Sequence, residues 1–350
     1  MKPNFWQTLR EKAARSPRKI ILSDGEDPRV IEAAARALNE RIALPVLVGN
    51  RRKIELAWRN FSSVAADILD PANLDPAQKD AFLTTLAGIG KYKTLSSGEL
   101  RARLQDSLIS GCLALRLKQA DGFIGGAART TADTLRAAFS IIGLRHGVST
   151  LFGFFLLENQ QPTEGADAVV LLADCAVIPE PSAKQLSHIG VQGARALALF
   201  TGLEPKVAFL SFSTQGSAEH PSVDKMRQAL SLAREKAPDV KMEGEWQADA
   251  ALDRFTAAIK GVGNSPLAGK ANVLVVPDLN CGNIAYKLVQ RLGGCRAVGP
   301  VLWGLNQPAN DLSRGCSVED VLDMMALTAI QAQMMPALEN SSSSMKVQVP

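Results

Sequence analysis

The chain has 350 residues, 46% of them hydrophobic and 21% charged, with a formal net charge of +4. That balance argues against wholesale disorder, and the length points to about two domains. The small charge and the 5% aromatic content argue against nucleic acid and a stacking platform for single strands, but suit an anionic small molecule.

Phe5, Trp6 and Leu9 form a stripe on an N-terminal helix whose usual fate is to pack on the core. This N-terminus is charged, with no uninterrupted apolar run, so no signal peptide is expected. KIILSDGE (19–26) reads as a strand entering a turn, 29–39 as an amphipathic helix, and ALPVLVGN (43–50) as a second strand. A helical region over 98–118 precedes ADGFIGGA (120–127), and TTADTLRAAFSIIGL (130–144) reads as a helix. This alternation predicts βαβ units and a largely parallel sheet. VSTLFGFFLLE (148–158) and AVVLLADCAVIP (168–179) are neighbouring apolar strands with no helix between them, expected as an antiparallel pair. LFGFFLL (151–157) is too short to span a membrane. Alternation then resumes: a helix over 182–202 closed by Gly202, strand 206–213, helix 222–237, strand 240–246, strand 272–278, helix 282–294, strand 297–304, and a helix after Ser317. One domain is placed at 1–146 plus 298–350 and the other at 147–297; the end, NSSSSMKVQVP, reads as a frayed polar tail. Five widely spaced cysteines with no CxxC argue against disulfides or structural zinc, and favour a reducing compartment and a soluble cytoplasmic protein. His146, His188 and His220 have no metal-ligand spacing.

Four stretches carry chemistry. In ADGFIGGAARTTADTLR (120–136) a strand ends in Gly125 and Gly126, and a helix opens at Thr130 and Thr131. Backbone N–H groups and hydroxyls can cradle phosphate there, with Arg136 near the mouth; an ordinary βα connection fits equally. The stretch is neither GxGxxG nor Walker A, so neither dinucleotide nor ATP follows. FLSFSTQGSAEHPSVDK (209–225) is an anion loop or a polar turn. In PDLNCGNIAYKLVQRLGG (277–294), Asn280 and Asn283 offer amides and Lys287 a point charge, against the commoner reading of a turn with an N-cap. NDLSRGCSVEDV (310–321) precedes the last helix. Ser317 and Asp320 make a capping-box-like pair, which leaves Ser313, Arg314 and Gly315 where free N–H groups and the helix dipole favour an anion. Open α/β sheets place ligands at such strand ends, so these loops are positioned to converge on a ligand with several phosphates.

These blocks, with LADCAVIPEP, SPLAGKANVLVV and AVGPVLWGLNQPA, resemble the phosphate acetyltransferase (phosphotransacetylase) family, within the wider phosphate acetyl/butyryl transferase group. The resemblance runs from about residue 18 to about 335 and looks like the short, catalytic-only form. It implies two α/β/α domains with a mostly parallel sheet each and an interdomain cleft, akin to the isocitrate dehydrogenase-like fold, in a homodimer. It implies reversible acetyl transfer between acetyl phosphate and coenzyme A by direct thiolate attack in a ternary complex. Coenzyme A is then a substrate, phosphate the other product, and no metal or permanently bound cofactor takes part. Carried onto matching positions, Asp320 takes the thiol proton, Ser313 hydrogen-bonds the developing charge, and Arg314 holds phosphoryl or carbonyl oxygens. Arg136 contacts coenzyme A or phosphate; Thr130 and Thr131 bind the acyl phosphate. A covalent acyl intermediate on Cys316 or Cys175 is the competing mechanism. Family members carry an arginine, linked to coenzyme A, where GIGKYKTLSSGE (88–99) has Gly90; Lys91, Lys93, Arg101 and Arg103 are candidate substitutes. Propionyl or butyryl transfer and a non-catalytic acyl phosphate or coenzyme A sensor are the alternatives. A decarboxylating dehydrogenase has only fold analogy behind it.

Overall fold

The structure is a computed structural model that describes residues 5–159 and 166–340. Short aliphatic runs and capped amphipathic segments alternate, and strands and helices follow them. The strands are β1 (Arg18–Leu22), β2 (Ala43–Val48), β3 (Asp67–Leu69), β4 (Gly122–Gly125), β5 (Phe152–Glu158), β6 (Val169–Ala173), β7 (Lys206–Leu210), β8 (Lys241–Trp246), β9 (Val273–Val275), β10 (Arg296–Trp303) and β11 (Ala309–Asp311). The helices are α1 (Phe5–Ala14), α2 (Pro28–Asn39), α3 (Arg51–Trp58), α4 (Pro76–Gly88), α5 (Ser97–Leu104), α6 (Ser107–Arg116), α7 (Thr131–Ile141), α8 (Ala183–Thr201), α9 (Pro221–Lys236), α10 (Ala248–Leu252), α11 (Arg254–Ile259), α12 (Leu279–Leu292) and α13 (Val318–Asn340). Two compact units result, one up to Ser149 together with Gly304–Asn340, the other Thr150–Trp303. The polar tail from 341 on lies outside the described residues.

The first unit holds a five-stranded sheet in the order β11-β4-β1-β2-β3, parallel throughout. Ile20, Ile21, Leu22, Leu47, Phe123 and Ile124 are essentially inaccessible. Unbroken apolar strands of this kind suit a sheet covered on both faces. Asp27 caps α2 and Pro28 opens it, its fixed φ already helical. α13 packs against α1, α2, β1 and β4. The N-terminal stripe does pack on the core: Trp6 and Leu9 are buried. Arg10 of α1 then reaches Asp323 and Glu319 of α13, at 2.6 Å each.

The second unit holds a six-stranded sheet in the order β10-β5-β6-β9-β7-β8. β5 runs antiparallel to both its neighbours, β10 and β6, while the other pairings are parallel. β5 and β6 are thus the antiparallel pair expected from the sequence. α8 starts at a Ser182–Gln185 capping box and stops at left-handed Gly202, φ 71°. Gly190 lets α8 approach the sheet, because a Cβ there would lie 2.5 Å from the Phe209 ring.

Several expectations give way. The helical region 98–118 is two helices, because Asp106 caps a new start by accepting from the Leu108 N–H at 3.0 Å. β11, where the sequence suggested no element, is a three-residue strand on β4. α12 starts before Gly282, capped by Asp278, so Asn280 and Asn283 ride on the helix instead of a turn. Gly282 is there for packing: a Cβ would meet the Asp174 carbonyl oxygen at 2.1 Å.

Candidate active site

In the first unit β2 and β3 step away from β1 on one side, β4 and β11 on the other. The strand order therefore reverses between β1 and β4. Parallel sheets open a crevice beyond the carboxyl ends of such a pair, where ligands bind. The loops after β1, β4 and β11 meet there. Asp24, just past β1, accepts from the Ala127 N–H at 3.0 Å. Burial pushes the Asp24 carboxyl up, partly offset by backbone N–H groups of the 126–128 turn and by Arg129.

Two cavities open on this edge. One, of about 820 Å³, has an acidic lining: Asp24, Glu26, Asp27, Asp70 and Asp106 against Arg129. The other, of about 300 Å³, is basic, with Lys91, Arg103, Arg129 and Arg136 against Asp106 and Asp133. Arg129 borders both and pairs with Asp106 at 2.7 Å. Phosphates are repelled by the first lining and attracted by the second. Of the four cations that the sequence offered in place of an arginine at Gly90, Lys91 and Arg103 line the basic cavity.

At the head of α13 the capping box is real. Asp320 N–H donates to the Ser317 hydroxyl (3.2 Å), and Ser317 N–H donates to the Asp320 carboxylate (2.8 Å). The adjacent acids part ways. Glu319 is held between Arg10 and Arg36, whereas the Asp320 carboxylate folds back over the loop. The Ser313 hydroxyl accepts from Gly315 N–H at 3.3 Å, and an accepting hydroxyl keeps its own proton to donate. Arg314 is exposed, and its backbone carbonyl accepts from Arg29 at 2.8 Å.

Arg29 is the residue that sequence reasoning missed. Its guanidinium also donates to the Cys316 carbonyl (2.9 Å), the Ala127 carbonyl (2.9 Å) and the Asp27 carboxylate (2.7 Å). One side chain thus ties the loop after β11 to the loop after β4. The only sequence hint was an arginine in the first turn of the helix after β1.

Gly126 has φ 102°, and a Cβ on it would lie 2.2 Å from Asp311 Oδ1. Only glycine fits this turn. Thr130 caps α7: its hydroxyl accepts from Asp133 N–H at 3.2 Å and donates to the Asp133 carboxylate at 2.7 Å. That leaves Thr131, at the first helical position, as the hydroxyl of the pair not engaged in the cap. Arg136 is largely exposed and pairs with Asp133 at 2.9 Å.

Asn283 and Lys287 belong to α12 of the second unit. Lys287 donates to the Asn283 side chain, which donates to the Cys175 carbonyl at 3.3 Å. Cys175 is buried and its thiol is pushed well up by that burial; Cys316 is likewise pushed up, to about 11. Both are mostly thiol at neutral pH, which disfavours either as a nucleophile. Among the described residues no group of three or more His, Cys, Asp or Glu is placed to hold a metal ion. No helix among them is long and apolar enough to cross a membrane.

The hydroxyl-rich loop after β7 is a built structure. Buried Glu245 accepts from Ser213 Oγ (2.8 Å), Gly216 N–H (2.9 Å) and Arg227 (2.8 Å). Burial alone would raise its carboxyl, but bonds from Arg227, Gly216 and Ser213 outweigh it and hold it down at about 2. A depressed carboxyl stabilises the fold above its unfolded value, about 4.5, and that support is lost as pH falls towards about 2. Hydrogen exchange is expected to show protection of the Gly216 amide fading across that window. In Glu245→Gln the acid-dependent fade disappears, and protection is already weaker at pH 7.

Comparison with known proteins places these features in a group. The family described as phosphate acetyl/butaryl transferase matches residues 4–329. A phosphate acetyltransferase of Thermoanaerobacterium thermosaccharolyticum is 43% identical over 327 residues, covering 93% of this chain and 99% of the relative. One from Paracoccus denitrificans is 42% identical over 325 residues, covering 93% and 98%. The crystal structure of a phosphotransacetylase from Streptococcus pyogenes superposes with a TM-score of 0.83 at 38% identity, over 94% of this chain and 98% of that one.

Proposed function

The chain belongs to the phosphate acetyl/butaryl transferase family, and from that premise we propose that it transfers an acetyl group reversibly between acetyl phosphate and coenzyme A. Asp320 accepts the proton of the coenzyme A thiol as sulfur attacks the acetyl carbonyl carbon. The C–S bond forms, the carbonyl oxygen gains negative charge, and the C–O bond to phosphate then breaks. The Ser313 hydroxyl donates to that oxygen and the Arg314 fork holds the phosphoryl group. The turn at Gly126 and the first turn of α7, with Thr131, seat the phosphate.

The observation that carries this reading is the Arg29 bridge, which brings the Ser313–Cys316 loop against the turn after Gly126. That backbone bridge supports one site in which the oxyanion and the leaving phosphate are held together. The basic cavity supports coenzyme A as the second substrate. Its Arg103 supplies cationic charge that Gly90 does not, so Arg103→Ala is expected to raise KM for coenzyme A about tenfold with kcat little changed. An unchanged KM removes Arg103 from the site.

The reading extends to a homodimer in the cytoplasm. It is supported by five free cysteines and by Ile284, Leu288 and Leu292, exposed on one face of α12. Sedimentation velocity tests the dimer; fractionation tests the compartment. The activity itself is tested by following thioester formation from coenzyme A with acetyl, propionyl and butyryl phosphate. Fastest turnover with acetyl phosphate supports the reading, and preference for a longer chain reassigns the acyl group. Tight binding of coenzyme A with no turnover on any of the three would overturn it in favour of a sensor.

A further inference from the structure

One buried carboxyl of the first unit has no part in the chemistry just described. Asp311, the last residue of β11, is fully buried, and no hydrogen bond of good geometry reaches either carboxyl oxygen. Buried carboxyls so poorly satisfied are strongly unfavourable and rare, so each calls for an explanation. This one lies in a defined place. Asp311 pairs in register with Gly125, and its Oδ1 occupies the space where a Cβ of Gly126 would be. The hydroxyls of Thr131 and Thr134, on the first turn of α7, and the Leu312 N–H bear on it. The carboxyl is therefore a floor under the turn and helix start that seat the phosphate in the proposed reaction.

We propose that Asp311 is a positioning residue for acyl phosphate: as the protonated acid it supports the Gly126 turn and the start of α7, and on ionising it opposes the phosphoryl group that docks above it. The inference rests on the acyltransferase reading. Its electrostatics follow from the neighbours. The loop after β1 contributes Asp24, a like charge; β4 and the turn after it contribute Gly125 and Gly126; α7 contributes neutral Thr131 and Thr134. Arg29 and Arg129 bear on Asp24. Burial, with the Asp24 charge added, pushes the Asp311 carboxyl up to about 7, against the two threonine hydroxyls and the Leu312 N–H, which lower it. The folded protein thus holds this proton through a range where an unfolded aspartate has lost it. Its contribution makes stability fall as pH rises from about 4 to about 7, then level off.

Asp311→Asn tests this, since it keeps size and shape but cannot ionise. For wild type, kcat/KM for acetyl phosphate is expected to fall above pH 7 by about tenfold per pH unit. In Asp311→Asn that limb is absent, activity at pH 6 stays within about threefold of wild type, and the protein melts higher than wild type at pH 8 but not at pH 4. Infrared difference titration provides a readout without turnover: a carboxylic acid C=O band lost near pH 7 in wild type and missing in the variant. In Asp24→Asn, removal of the like charge moves the infrared transition to lower pH. An unchanged pH profile in an active Asp311→Asn enzyme overturns the inference and leaves the acyltransferase reading intact. Absence of wild-type turnover overturns that reading instead, and the infrared titration still decides whether Asp311 holds its proton.

Discussion

Asp320→Asn is expected to lower kcat for thioester formation at least about a hundredfold, with little change in KM for either substrate. General-base contributions typically span about a hundred- to ten-thousand-fold, so the loss corresponds to about 2.7 kcal/mol or more of transition-state stabilisation. The fold has no reason to collapse, because asparagine still offers an oxygen to the Ser317 N–H that now donates to Asp320 at 2.8 Å. Its neighbour is the control. Glu319 sits one residue earlier in the same turn, has the same charge, and binds Arg10 and Arg36. Those pairs hold its carboxyl below the usual range against the opposing effect of its own burial. Glu319→Gln should therefore leave kcat within about threefold and lower the melting temperature. Steady-state kinetics and thermal denaturation on both variants separate a proton acceptor from a structural acid. Equal losses of kcat in the two variants refute the assignment of Asp320.

How far these roles were legible depends on the range of the interactions behind them. The capping box at Ser317 and Asp320 is local, a hydroxyl and an acid three residues apart, and is visible in the letters. Most of the parallel strands were visible as aliphatic runs, and the antiparallel β5–β6 pair as two such runs with no helix between; β3, three residues beside β2, was not. β11 was not visible: Ala309, Asn310 and Asp311 show no alternation, and their strand exists only because Phe123 to Gly125 lie alongside. Its consequences were hidden with it. Asp311 reads as one more polar residue before a helix until the pairing buries it. Arg29 reads as a surface arginine on an amphipathic helix, and its meaning comes from main-chain carbonyls at Ala127, Arg314 and Cys316. Periodicity cannot show a contact to the backbone of a distant loop. The division of labour between Glu319 and Asp320 is hidden for the same reason, since it is set by Arg10 on α1 and Arg36 on α2. Thr130 and Thr131 look alike in sequence, and only the observed cap separates them.

Gly126→Ala is expected to be the most disruptive single-methyl change in the first unit's site. The added Cβ would lie 2.2 Å from Asp311 Oδ1, 2.6 Å from the Leu312 carbonyl oxygen and 2.8 Å from the Leu312 N, so two of its three nearest atoms are backbone and cannot swing aside. The backbone at φ 102° adds a conformational penalty. Overpacking typically costs about 1–3 kcal/mol and the positive φ about 1 more, so a loss of about 2–4 kcal/mol follows. Gly143 isolates the two contributions. Its φ of 75° is also positive, but nothing lies within 4 Å of where its Cβ would be. Gly143→Ala should cost about 1 kcal/mol and leave turnover nearly intact. The difference between the two variants is then the steric cost at the phosphate turn. Because that turn can relax only by moving against Asp311 and Leu312, the strain reaches Ser313 next in the chain. Gly126→Ala that still folds should thus lose at least about a hundredfold in kcat/KM for acetyl phosphate. Chemical denaturation and kinetics on the pair measure both quantities. Matching stabilities and activities for the two variants mean that the turn after β4 does not hold the phosphate.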